Sequence, residues 1–213
     1  KLRPKDLKDQ LHLLNHISLC ESLGASHRIN ASCASLHKAI ELEDTNLVEK
    51  GIEHLNNAFK SLFHLVPKSS NIREDSTHTY FAYYSTLARA AMFRGDFDYL
   101  DNVQSDIVTR AKNQSSIGPG YYHTSRNVVR TLTFLILSSA AKDDIVASET
   151  ILQTIRFSIH QAIQKADTDP ALFRKFMQTT RLEVFARLLI KATQSKSDVS
   201  SKLHELGLAI FLE

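Results

Sequence analysis

Helix breakers are nearly absent from this chain. Its 213 residues include six glycines and four prolines. No segment of useful length alternates apolar and polar residues with the period of two that a half-buried strand needs. Apolar residues instead recur three and four positions apart, the spacing of one face of an α-helix. The pattern predicts long uninterrupted helices joined by short turns.

The punctuation marks nine of them. The first runs from about Lys5 to Leu23, with Leu7, Leu11 and Leu14 on one strip and Leu13, Ile17 and Cys20 on another. Gly24 is placed to end it in the left-handed conformation, and Ser26 to cap a second helix whose core strip is Ile29, Cys33, Leu36 and Ile40. Asp44 or Thr45 caps a third, which Pro67 stops. After the polar stretch KSSNIRED, Ser76 or Thr77 opens a fourth that ends at Gly95, and Asp96 caps a fifth. The segment NQSSIGPG at 113–120 is the clearest break. A sixth helix follows to Ala141, and it includes the β-branched run at 128–137. Asp143 or Asp144 caps a seventh. Asp169-Pro170 opens an eighth, with Asp as cap and Pro in the first turn. Asp198 caps a short ninth. Short connections make neighbouring helices antiparallel, and hairpins beginning near residues 5, 45, 96 and 144 recur at roughly the length of helical-hairpin repeats. The expected fold is all-α: a right-handed, α-solenoid-like stack of about four antiparallel hairpins plus a terminal helix. It is expected to form a single domain over 1–213, with a weak break at 113–120. A chain that opens on Lys rather than Met is expected to be a piece of a longer one.

One stretch adds a resemblance. LARAAMFRGDFDYLDNVQSDIVTRAKN, residues 87–113, resembles the joint of a tetratricopeptide-like hairpin. Small residues (Ala88, Ala91) let two helices approach, and Gly95-Asp96-Phe97 reverses the chain. Subunits of the proteasome-lid and signalosome type use similar turns. The resemblance implies a helical-repeat architecture and a tendency to bind other proteins. It maps no ligand-binding residue onto this chain.

Composition excludes several classes. Apolar residues make up 43%, enough for a sizeable core. The longest apolar run, FLILSSAA, falls well short of the roughly 20 residues that span a bilayer. Two cysteines make no disulfide framework, and an intracellular location, cytoplasmic or nuclear, is expected. Residues 110–213 hold 14 Lys and Arg against 9 Asp and Glu, whereas residues 1–109 hold 12 against 14. That excess is mild for an obligate nucleic-acid binder.

The chemistry-bearing side chains cluster near the start. His12, His16, Cys20, Cys33 and His37 could converge across the first hairpin as zinc ligands. However, Cys20 and Cys33 fall on apolar strips, where a thiol packs as a small hydrophobe. A thiol nucleophile would need a base and an oxyanion hole that the local sequence does not build. A nucleophile elbow and a phosphate-binding glycine loop are absent. No catalytic residue, metal or cofactor is expected. The basic set is more suggestive. Arg126 and Arg130 are four apart, as are Arg187 and Lys191, with Arg181 on the same helix as the latter pair. Tyr121 and Tyr122 lie just before Arg126. Tyr80, Phe81, Tyr83 and Tyr84 put four aromatics in five positions, more than one core face is expected to take: most are expected to pack in the core and at least one to face a groove or partner, with Tyr83 and Tyr84 as the candidates. The expected role is a non-enzymatic scaffold or adaptor, a subunit of a larger complex, that binds a peptide or protein segment in a helical groove. Tyr83, Tyr84, Tyr121, Tyr122, Arg126, Arg130, Arg181, Arg187 and Lys191 would line that groove. The alternative is a nucleic-acid-associated module using the basic C-terminal half. The apolar end LGLAIFLE, 206–213, is expected to be covered by more chain or by a partner.

Overall fold

The computed structural model describes residues 4–63, 74–96, 98–112, 121–166, 170–194 and 197–212. All regular structure among them is helical, as the periodicity predicts: α1 (Pro4–Leu19), α2 (Ala25–Glu41), α3 (Thr45–Phe63), α4 (Glu74–Arg94), α5 (Asp98–Lys112), α6 (Tyr121–Ala141), α7 (Ile145–Ala166), α8 (Pro170–Gln194) and α9 (Ser197–Leu212). They form two compact units, Lys1–Arg94 and Gly95–Glu213. The division falls at the Gly95 turn, so the 87–113 stretch belongs to both units. The 113–120 break lies outside the described residues.

In the first unit α2 is central and touches α1, α3 and α4. Its sequence explains this. Ala31, Ser32, Cys33, Ser35 and Ala39 are buried beside Ile29, Leu36 and Ile40, and small side chains let three neighbours approach. Gly51 of α3 lies against Leu36: a Cβ there would stand 3.0 Å from Leu36 Cδ1. The buried serines of α2 are bonded. Ser35 Oγ donates to Asn15 Oδ1 of α1 at 2.6 Å, and Ser32 Oγ donates to the Arg28 carbonyl at 3.0 Å. Arg28 Nε donates to the Ser18 carbonyl at 3.0 Å, occupying one of the acceptors left open at the end of α1.

In the second unit α6 is central and packs on α5, α7 and α8. Every side chain described from Asn127 to Ala140 is buried except Arg130, which is half-buried. A helix apolar on all sides is a core helix. Its threonines fold back on the backbone, with Thr131 and Thr133 donating to the Asn127 and Val129 carbonyls. At its far end Ser138 donates to Asp101 and Ser139 to Gln104 of α5. Lys142 pairs with Asp101, and with Asp98 at 3.4 Å.

The same turn joins α2 to α3 and α6 to α7. Glu43 (φ 54°) and Asp143 (φ 57°) are left-handed. Asp44 and Asp144 then cap the next helix: Leu47 N–H donates to Asp44 Oδ1 at 3.1 Å, and Ala147 N–H to Asp144 Oδ1 at 3.0 Å. This tight reversal lays α7 mainly on α6, while α8 lies mainly on α9. A hairpin beginning near residue 144 would have paired the seventh helix with the eighth instead. Gly95 is left-handed (φ 69°), as its position predicts. Gly24 is not: at φ −58° it is the N-cap of α2, and Ser26 lies inside that helix. The chain leaves α1 at Cys20 through a turn closed by Cys20 N–H to the Ile17 carbonyl and Leu23 N–H to the Cys20 carbonyl, which removes the need for a left-handed glycine.

Candidate functional site

The first candidates are the histidines and cysteines, and the structure separates them. His12 and His16 stack at 4.7 Å on the exposed side of α1. Cys20 Sγ lies 3.1 Å from Ser22 Oγ, and hydrogen bonding to Ser22 holds the thiol below its ordinary pKa. Cys33 points the other way, into the core, and donates to the Ala82 carbonyl of α4 at 3.6 Å. Burial pushes its thiol up to about 12, against a smaller opposing effect of its hydrogen bond with Thr86. His37 also joins α2 to α4. Arg89 Nη1 lies 3.0 Å from His37 Nδ1, and because a guanidinium only donates, Nδ1 is the acceptor. Nε2 then carries the proton and faces Thr86 Oγ1 at 3.4 Å, while the Thr86 hydroxyl donates to the Ala82 carbonyl at 2.8 Å. This is a polar clasp between two helices. Among the described residues no three His, Cys, Asp or Glu side chains are grouped to hold a metal ion.

The aromatic candidates are core residues. Tyr80, Phe81, Tyr83 and Tyr84 are all buried, contrary to the expectation that one helix face could not absorb them. The reason is that both α2 and α3 flank α4. Phe59 of α3 stacks on Tyr83 with the ring centroids 3.5 Å apart and meets Tyr84 edge-on at 5.8 Å. Tyr83 Oη donates to Asn56 Oδ1 at 2.7 Å, so its polar end is satisfied inside the unit.

The basic candidates divide. The side chains of Tyr121, Tyr122 and Arg126 lie outside the described residues. Arg130 is half-buried on α6. Arg181, expected at a groove rim, is 9% exposed and buried between α8 and α9. Its Nε donates to the Ile210 carbonyl at 3.1 Å, where a cation complements the carbonyl end of α9. Lys191 is half-buried, with Nζ 3.5 Å from Asp143 Oδ1. Arg187 is exposed.

What the structure brings to the surface instead is apolar. On α8, Val184, Leu188 and Ala192 are buried, whereas Leu182 and Ile190 are 52% and 58% exposed, with exposed Ala186 between them at four-residue spacing. On α9, Leu208, Phe211 and Leu212 are exposed while Leu203, Leu206 and Ile210 face inward. Between the two helices the Phe185 and Phe211 rings approach to 5.1 Å. Gly207 sets that approach, since a Cβ there would stand 3.2 Å from the Phe185 ring. Sequence reading found the α9 end, LGLAIFLE, but not its partner strip on α8. The signal was two apolar strips on one helix, at 184/188/192 and 182/186/190, and periodicity does not say which of them a neighbour covers.

Comparison with protein families, with curated proteins and with solved structures gives no match. Among the described residues no helix is long and apolar enough to cross a membrane.

Proposed function

We propose that this chain is a non-enzymatic interaction module, a scaffold or adaptor subunit, whose α8–α9 face docks a segment of a partner protein. The observation that carries the reading is the concentration of exposed large apolar side chains there: Leu182, Ile190, Leu208, Phe211 and Leu212. Exposed apolar surface of this kind marks interaction sites more often than it marks neutral surface. Its paired helices offer the ridge-and-groove relief that accepts another helix or an extended segment. The non-enzymatic part rests on Cys33 and His37: Cys33 is buried in the core with its thiol pushed up to about 12, and the Nδ1 lone pair of His37 is taken by Arg89.

The helical-repeat reading belongs to the same proposal. Within each unit, helices two apart in sequence touch, α2 with α4, and α5 with α7, α6 with α8 and α7 with α9. Stacked hairpins produce such contacts. The nucleic-acid reading has less to stand on. It needs Arg181 at a surface, and Arg181 is buried.

The test is comparative affinity capture from cell extract. Wild type is set beside a Leu182→Gln/Leu208→Gln double variant, with circular dichroism confirming that both are folded. Partners retained by wild type and lost by the variant support the reading. Identical capture profiles overturn it.

A further inference from the structure

We infer that the contact between His37 of α2 and Arg89 of α4 is an acid-released latch, closed at neutral pH and opened by protonation of His37, and that its release uncovers the thiol of Cys33. Arg89 Nη1 lies 3.0 Å from His37 Nδ1. A guanidinium has only donors, so the contact exists while Nδ1 keeps its lone pair. A proton on Nδ1 removes that acceptor and sets two cations against each other. Both side chains are half-buried, so water screens that repulsion only in part. Histidine takes its proton at about pH 6.5 in an unstructured chain. An open seam leaves His37 free to take it and the closed seam has no place for it, so falling pH favours opening.

The surroundings leave Arg89 as the group that decides. His78, also half-buried on α4, stands about 16 Å along that helix from Arg89. On α2 itself Cys33 and Glu41 are one turn from His37, and Glu41 is held by Lys38 at 2.8 Å. On α1 and α3, the other helices against α2, each described Asp, Glu, Lys and His side chain is exposed except His54, which is half-buried on α3 with no hydrogen bond to its buried Nδ1. Among the described residues no carboxylate forms an ion pair with Arg89. The stacked pair His12 and His16 is exposed and lies within α1, so its protonation moves no seam.

Thr86 and the Ala82 carbonyl connect the latch to the thiol. Thr86 Oγ1 faces His37 Nε2 at 3.4 Å and donates to the Ala82 carbonyl at 2.8 Å. Cys33, one turn before His37, donates to the same carbonyl at 3.6 Å and also hydrogen-bonds with Thr86. Because α4 rests on α2 more than on α3, this seam is where α4 is held. Separating His37 from Arg89 therefore loosens the bonds that lie over Cys33, which is 7% exposed while the seam is closed.

The experiment is labelling of Cys33 by dithiodipyridine, which stays reactive toward thiols in mild acid. It uses the full chain carrying Cys20→Ser, so that Cys33 is its single thiol. Rates are taken at about pH 7.5 and about pH 5.5, on either side of the histidine range. Each is divided by the rate of a short peptide with the same thiol, which cancels the reagent's own pH dependence. The corrected rate should rise about threefold or more in acid, with the far-ultraviolet circular dichroism unchanged. His37→Asn keeps an acceptor near the Nδ1 position and takes no proton, and should abolish the rise. Arg89→Met removes the facing cation and should abolish it too; it decides alone should His37→Asn fail to fold. His54→Asn should leave the rise intact. A corrected rate that does not change with pH overturns the inference. So does a rise that survives Arg89→Met or disappears in His54→Asn. Loss of helix signal in acid also overturns it, because the unit then unfolds as a whole instead of opening at one seam.

Discussion

Helices α4 and α8 hold corresponding places in their units and meet opposite fates. Each packs on its unit's central helix, α4 on α2 and α8 on α6, and each carries apolar residues on more than one side. α4 buries nearly all of them: between Thr79 and Met92 only Ala82 and Arg89 are less than buried. α8 buries one strip and leaves Leu182, Ala186 and Ile190 outside. The difference lies in the neighbours. α3 supplies Phe59, an aromatic wedge that the tyrosines of α4 close around. α9 meets α8 along a seam at Gly207 and Arg181 and leaves the next strip uncovered. Apolar surface that a unit's own helices cover is structural, and apolar surface they leave is available for a partner.

The sharpest way to break that contrast is truncation on both helices. Phe81→Ala removes a fully buried ring and should cost about 3–5 kcal/mol in urea unfolding. Leu182→Ala should stay within about 0.5 kcal/mol, as exposed substitutions do. Equal losses at the two positions would show that the α8 strip is structural after all.

The two seam glycines give the next effect. Gly51→Ala drives a Cβ against Leu36, which is fully buried and has nowhere to go. A loss of about 1–3 kcal/mol is expected. Gly207→Ala presses on Phe185, which is half-exposed and can turn outward, and the gain in helix propensity of up to about 1 kcal/mol offsets the contact. Near-neutral stability is expected there by thermal melting.

Arginine separates buried from available cations in the same helix. Arg181→Ala leaves the Ile210 carbonyl without its donor and should cost about 1–3 kcal/mol, whereas Arg187→Ala should be silent in stability.

The thiols make a pH and labelling test. The Cys33 pKa is raised in the fold to about 12, so its contribution is fully present below the ordinary thiol pKa and is lost as pH climbs from about 9 through 12. Alkaline titration of stability should show that loss, and Cys33→Ala should remove its share. At neutral pH a thiol reagent should modify Cys20 at once and Cys33 only on unfolding.

The smallest effect is at the matched turns. Glu43→Asn relieves left-handed strain and should stabilise by up to about 1 kcal/mol, whereas Asp143→Asn should gain little, because Asp already tolerates this conformation and the change weakens the pair with Lys191. An equal gain at the two turns in thermal melting would show that neither feature of Asp143 matters.

Much of this architecture was legible. Asp44 and Asp144 were each one of two adjacent residues that read as the cap, because a carboxylate before an apolar-periodic run satisfies open N–H groups, and that chemistry is local. The strip Ile29, Cys33, Leu36 and Ile40 read as core for the same reason: i, i+4, i+7 places side chains on one face whatever surrounds them. One misreading is local and the others are not. Gly24 looked like a helix terminator, and it became an N-cap because the turn at Cys20–Leu23 had already closed. Tyr83, Tyr84 and Arg181 looked like surface anchors. An aromatic wedge from α3 and a carbonyl at the end of α9, each far away in sequence, took them inside.

By itself, then, the order of residues determined the helices, their lengths and most of their ends, because capping, breaking and periodicity act within a few residues along the chain. Only the tertiary structure decided which of two apolar strips on α8 is core, whether the cysteines meet the histidines, and which arginines face water. Those outcomes depend on the side chains that arrive from other helices, and burial is a property of the neighbours as much as of the residue buried.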